Sequence, residues 1–257
     1  MKLVSIVVLA SACTTLGPMP ATTGVSAIPA GRPGAEAQVG VMPGHYLSSS
    51  VTATPRGGAT GQATVLIEPD RWIDVPGLVV GGRVFGQGND SPAEPLVGYR
   101  RKLVDDVAIA VVGYGTVTSA AKNEASYKAT RVGGEVSVDA RVIPIASWLS
   151  LHAQGAAALT YVSATGTYCV DANGAGVDCD TSTDAHNTFV DAKIASAFPS
   201  ATGTLSLDAG HLNDGWFHSA RVAVLGSAGM MPTVVGGMQS TKSYASIGLS
   251  LTLGVGE

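Results

Sequence analysis

The sequence predicts an all-β protein: an antiparallel, up-and-down transmembrane β-barrel of ten strands, or eight if the first two stand outside it. Three observations predict this. From 131 to 142, Arg131, Gly133, Glu135, Ser137, Asp139 and Arg141 alternate without a miss against Val132, Gly134, Val136, Val138, Ala140 and Val142. A two-residue period is the mark of a strand. Segments on either side repeat the pattern, and only 13% of residues are charged, about half the usual share in soluble domains. No apolar run reaches the roughly 18 to 20 residues of a spanning helix. A barrel in a membrane reconciles these facts by turning the valines to lipid and the charges to its interior.

The first element is a signal peptide, 1–12. Leu3 to Ala10 forms a short apolar core behind Met1 and Lys2, and Ala10-Ser11-Ala12 supplies small residues for cleavage. Residues 13–40, rich in Pro, Gly, Ala and Thr, read as a flexible tether. The barrel domain is expected over 41–257. Its first strands are 46–54, rich in Ser and Thr, and 61–68, where Ala63, Val65 and Ile67 oppose Gln62, Thr64 and Glu68. Pro55-Arg56-Gly57-Gly58 marks a turn between them. Pro69 to Trp72 suits a short helical turn before strand 77–86, and Gly88 to Pro92 breaks the chain before 94–103.

Asp105-Asp106 reverses the chain into 107–119, with Val107, Ile109, Val111 and Val117 on one face and Tyr114, Thr116 and Thr118 on the other. The long strand to Val142 follows, with Pro144 expected to end it. Strand 148–168 sets Leu149, Leu151, Leu159 and Tyr161 against Ser150, His152, Gln154 and Thr160. In 187–209 the apolar positions change parity, even at Val190, Ala192 and Ile194 but odd at Leu205 and Leu207, which predicts a bulge near Pro199. Strands 217–230 and 243–255 complete the set. An even count puts both barrel ends on one side of the membrane. For an exported chain that side is the periplasm, which leaves the polar loop 169–186 outside.

Repeats such as Tyr244-Ala245-Ser246-Ile247-Gly248-Leu249-Ser250-Leu251 make the chain resemble small bacterial outer-membrane β-barrel proteins. Ala10-Ser11-Ala12-Cys13 resembles the lipobox of bacterial lipoproteins, with Ala10 where Leu is usual. The resemblance implies an outer-membrane location, acylation of Cys13, and outer-membrane lipids and the barrel-assembly machinery as partners. Two features depart from it: the chain closes on Gly254-Val255-Gly256-Glu257 rather than on Phe or Trp, and aromatic residues make up only 5%.

Candidate chemistry is sparse. Arg83, Arg131, Glu135, Asp139, Arg141 and Arg221 fall on the polar faces and are expected to form a charge network that fills a narrow lumen. Cys169 and Cys179 flank a polar loop, and an oxidising compartment favours a disulfide between them, worth about 2 to 3 kcal/mol for a loop of this size. Asp171, Asn173 and Asp178 form a partial calcium loop that lacks the closing bidentate Glu, so no metal is expected. The histidines His45, His152, His186, His211 and His218 show no metal spacing. Asp208, His211, His218 and Ser219 do not assemble an oriented nucleophile and base, so no enzyme activity and no cofactor are expected. A net charge of -4 without a basic stripe sets nucleic acid aside. The expected role is a non-enzymatic outer-membrane barrel with a plugged or narrow lumen, structural, adhesive or weakly permeative. The alternatives are an outer-membrane enzyme acting on lipid or peptide, and a lipid-tethered soluble β-sandwich that binds a ligand.

Overall fold

The computed structural model describes residues 34–46, 56–69, 73–86, 93–122, 125–170, 188–210, 217–235 and 238–256. Among them are ten strands and no helix: β1 (Gly34–Tyr46), β2 (Arg56–Ile67), β3 (Leu78–Gly86), β4 (Ala93–Val104), β5 (Val107–Lys122), β6 (Ala125–Ala146), β7 (Leu149–Val170), β8 (Thr188–Gly210), β9 (Phe217–Val235) and β10 (Met238–Gly256). Each strand pairs antiparallel with its chain neighbours, and β1 pairs with β10 from Gly34↔Gly256 to Val41↔Leu249, closing the barrel. Closure leaves no sheet edge with unpaired amides.

The burial pattern is the reverse of a soluble protein's. Val39, Val97, Val132, Val136, Leu159, Val222, Ile247 and Leu249 are exposed on the outer face. Glu36, Arg83, Glu94, Arg100, Arg131, Glu135 and Asp139 are buried on the inner one. Along β6 the two sets alternate residue by residue, Val136 being 46% exposed between Glu135 at 3% and Ser137 at 1%.

Four local expectations are corrected. The first described strand lies at Gly34–Tyr46, ahead of the expected 46–54, so the end of the supposed tether is barrel wall. Its side chains alternate weakly, Glu36 and Gly40 inward against Ala37 and Val39 outward, and it is placed by backbone pairing to β2 and β10 on its two sides. Residues 47–54 lie outside the described residues. Arg56, Gly57 and Gly58 belong to β2, opposite Tyr46, His45 and Gly44, instead of forming a turn.

Pro144 does not end β6. The β6–β7 hairpin continues to Ala146↔Leu149 through two register irregularities, at Arg141/Ile143 and Pro144/Ala146, where a residue without an amide hydrogen is tolerated. The bulge at Pro199 is absent: β7 and β8 pair without interruption from Leu149↔Ala209 to Val170↔Thr188. From Ile194 to Ser206 the even-numbered residues of β8 face inward, Phe198 among them. The change of parity in the sequence reports an interior that turns apolar, not a slipped strand.

One turn depends on a glycine. Val75-Pro76-Gly77-Leu78 closes with the Leu78 amide donating to the Val75 carbonyl at 3.1 Å, and Gly77 has φ 87°. Proline at the second and glycine at the third position is the type II arrangement. A Cβ at Gly77 would lie 2.3 Å from the Arg100 carbonyl oxygen, and the Arg100 amide donates to the Gly77 carbonyl at 2.8 Å. The turn thus locks onto β4 beside the interior arginine. Before it, the Ile73 amide donates to the Pro69 carbonyl at 2.9 Å; residues 70–72, where a short helical turn was expected, lie outside the described residues.

Candidate functional site

Among the described residues, three charged clusters stand on the inner face. The central one begins with Arg83 and Glu94, direct cross-strand partners on β3 and β4 whose side chains form a fully buried ion pair. The second Glu94 carboxylate oxygen lies 3.5 Å from Arg131 on β6. Between these strands Tyr114 of β5 projects its ring inward, 4.6 Å from the Arg83 guanidinium and 5.0 Å from that of Arg131. An aromatic face attracts cations, more strongly once they are desolvated, so the Tyr114 ring adds its own attraction for both arginines to that of the carboxylate. The Tyr114 hydroxyl lies 2.7 Å from Thr160 Oγ1 on β7.

Gly133, the cross-strand partner of Tyr114, makes that placement possible: a Cβ there would come within 2.4 Å of the ring. Glu135 is buried two residues further along the same face of β6.

The second cluster sits near the barrel end that holds the start of β1 and the end of β10. Arg100 on β4 donates to Glu36 on β1 at 2.8 Å and also pairs with Glu68 just beyond β2. The third spans β6 to β9 near the same end. His152 Nδ1 is 2.7 Å from Asp139 Oδ1, and Ser150 Oγ is 2.9 Å from His152 Nε2. Next to them Arg221 donates to Asp208 at 2.9 Å.

Arg141 differs from the other expected lumen charges. Its half-exposed side chain leaves the barrel interior and binds Asp106 in the β4–β5 turn, and its amide donates to the Asp106 carbonyl at 2.8 Å. Polarity alternation assigns a face but does not show where a hairpin projects past the wall, and residues 141–148 of this hairpin are exposed or nearly so on both faces. In the same turn a hydrogen bond from Lys102, together with its charge, holds the exposed Asp105 carboxyl below the usual range.

Opposite the charged chains of β1 to β6, small residues fill much of the middle of the other wall, between the His152 and Arg221 cluster at one end and Ile194 and Phe198 at the other. The inner face of β7 to β10 carries Ala156, Ala158, Ser200, Thr202, Ser206, Ser227, Gly248, Ser250 and Thr252. Large residues set against small ones fill a narrow barrel. Beyond Arg131 the interior becomes apolar, with Ala129, Val162, Ala164, Ile194 and Phe198 buried on adjoining strands.

Tyr114, Glu94, Arg100, Glu36, Glu68 and the Ser150–His152 pair were not singled out from sequence. Ser150 and His152 share a face by parity, but their apposition to Asp139 comes from register. Cys13, Cys179, Asp171, Asn173, Asp178, His186 and His211 lie outside the described residues, and the side chains of His45, Cys169 and His218 are likewise not described. Asp208 pairs with Arg221. Among the described residues no three His, Cys, Asp or Glu side chains gather as metal ligands. Neither a protein-family model nor a curated protein sequence matches the chain.

Proposed function

We propose that the protein is an outer-membrane β-barrel with a sealed lumen, structural or adhesive in role and at most weakly permeative. One observation carries this reading. Arg83 and Glu94 are each 1% exposed inside the barrel while valines and leucines cover its outside. In water that outer surface would be an aggregation hazard; in lipid it is the favourable arrangement. A wide channel would leave its lining charges wet, and open aqueous channels belong to barrels of about 16 strands.

Strands β6 to β8, at 22 or 23 residues, exceed the roughly 9 to 11 needed to cross a bilayer, so the barrel extends past the membrane. Export, acylation at Cys13, contact with outer-membrane lipids and delivery by the barrel-assembly machinery belong to the same reading, as does a Cys169–Cys179 disulfide in the outer loop. Mass spectrometry of the mature N-terminus and non-reducing peptide mapping test the two modifications.

Planar-bilayer recording tests the sealed lumen. The unmodified protein is expected to show no large, steady conductance. Glu94→Ala, which removes the carboxylate between two buried arginines, is expected to raise leakage, and Arg141→Ala on the rim is not. Stable porin-sized openings from the unmodified protein would make it a channel.

A further inference from the structure

The Ser150–His152–Asp139 chain is more than a satisfied polar cluster in its connectivity. A buried carboxylate accepts hydrogen bonds and cannot donate them, so Asp139 Oδ1 fixes the His152 proton on Nδ1. Nε2 is then left as the acceptor, and the Ser150 hydroxyl at 2.9 Å is the donor that faces it. That is the order of groups an activated serine needs: nucleophile, base, and a third group that selects the base's tautomer and orientation.

Register builds it. Ser150 and His152 alternate onto one face of β7, and Asp139 lies on β6 opposite Gln154, one inward position along from His152. Exposure is graded in the useful direction. Asp139 is 2% exposed and His152 9%, whereas Ser150, the second residue of β7 after the β6–β7 turn, is partly open at the barrel mouth. The carboxylate is therefore kept from water, and the serine stands at the more open end of the chain. Asp208 lies directly across from Ser150 and holds Arg221 on the next strand, which brings a guanidinium to the same mouth.

We propose that Ser150 is a nucleophile for acyl transfer from carboxylic esters that enter this mouth, with His152 as general base and Asp139 as its positioning residue. The Ser150 oxygen attacks the ester carbonyl carbon while its proton passes to His152 Nε2. Collapse of the tetrahedral adduct breaks the bond to the alcohol, which leaves with that proton. Water, deprotonated by His152, then attacks the acyl-serine, and the acid and free serine are regenerated. The step goes beyond the sealed-barrel reading and does not depend on it, because the site lies at the mouth rather than in the occluded centre.

The test uses the full-length barrel refolded in detergent, with heat-modifiable gel mobility confirming the fold of each variant. Phenylmethylsulfonyl fluoride is expected to sulfonylate Ser150, with loss of fluoride, as mapped by peptide mass spectrometry. Hydrolysis of p-nitrophenyl acetate should disappear in Ser150→Ala. His152→Ala should slow both reactions about 100-fold or more, the scale of a positioned general base, and added imidazole should restore part of the rate. Asp139→Asn should lower kcat with KM unchanged. Folded, unmodified protein that stays unlabelled at Ser150 overturns the proposal. So does labelling that His152→Ala leaves unchanged, which would mark Ser150 as merely accessible. If His152→Ala fails to fold, His152→Gln, which keeps a polar group between Ser150 and Asp139, takes its place in the same comparison, and labelling that it leaves unchanged overturns the proposal.

Discussion

At the scale of single residues, the interior is held by compensation rather than by counting opposite charges. Arg83 and Arg131 share Glu94 and flank the Tyr114 ring, and each partner keeps the others from being buried uncompensated. Removing one member of a buried ionic group typically costs about 3 to 5 kcal/mol, so Glu94→Gln is expected to destabilise the barrel on that order in denaturant titration from lipid vesicles. Gly133→Ala is expected to cost about 1 to 3 kcal/mol, because its methyl displaces the Tyr114 ring. The penalty should shrink in a Tyr114→Ala background. An undiminished penalty there would separate Gly133 from the ring. Parity along each strand was enough to put Arg83, Arg131, Glu135 and Asp139 on an inner face. It could not show that Tyr114 is the centre of the group, since a lone aromatic among hydroxyls gives no sign of which residues stand two strands away.

Among the elements, β6 was the most legible because charges and valines differ most in hydropathy there, and β1 the least because Ala, Gly and Gln barely alternate. β8 was misread for a different reason. Its inward face changes from Thr202 and Ser206 to Ile194 and Phe198, and a sequence pattern that equates apolar with outward has to invent a bulge. Pairing with β7 over the full length forbids it. The β6–β7 hairpin gives a depth-dependent expectation. Val136→Arg, on the outer face of the wall, should cost about 2 to 4 kcal/mol, and Val142→Arg, in the projecting hairpin, about 0 to 1. Denaturant titration in vesicles compares them, and equal costs would contradict the assignment of the hairpin beyond the lipid. Ser137→Arg is not a mild control, since that inward position has no room.

The whole molecule is inside-out: exposed valines and leucines on the outer face, buried ion pairs within, and ten strands closed on themselves. Closure was predictable only as a class, from strand count and the scarcity of helices, because the partner of β1 is β10, more than 200 residues away in the chain. The most direct measurement places one tryptophan on each face of a single strand, in a background with Trp72, Trp148 and Trp216 changed to Phe. Val111→Trp reports from the outer face of β5 and Tyr114→Trp from the inner face of the same strand. Both are reconstituted in vesicles whose lipids carry bromine in mid-chain. Strong quenching of the tryptophan at 111 with little at 114 is the result predicted here. Equal quenching at the two positions, or none at either, would contradict it.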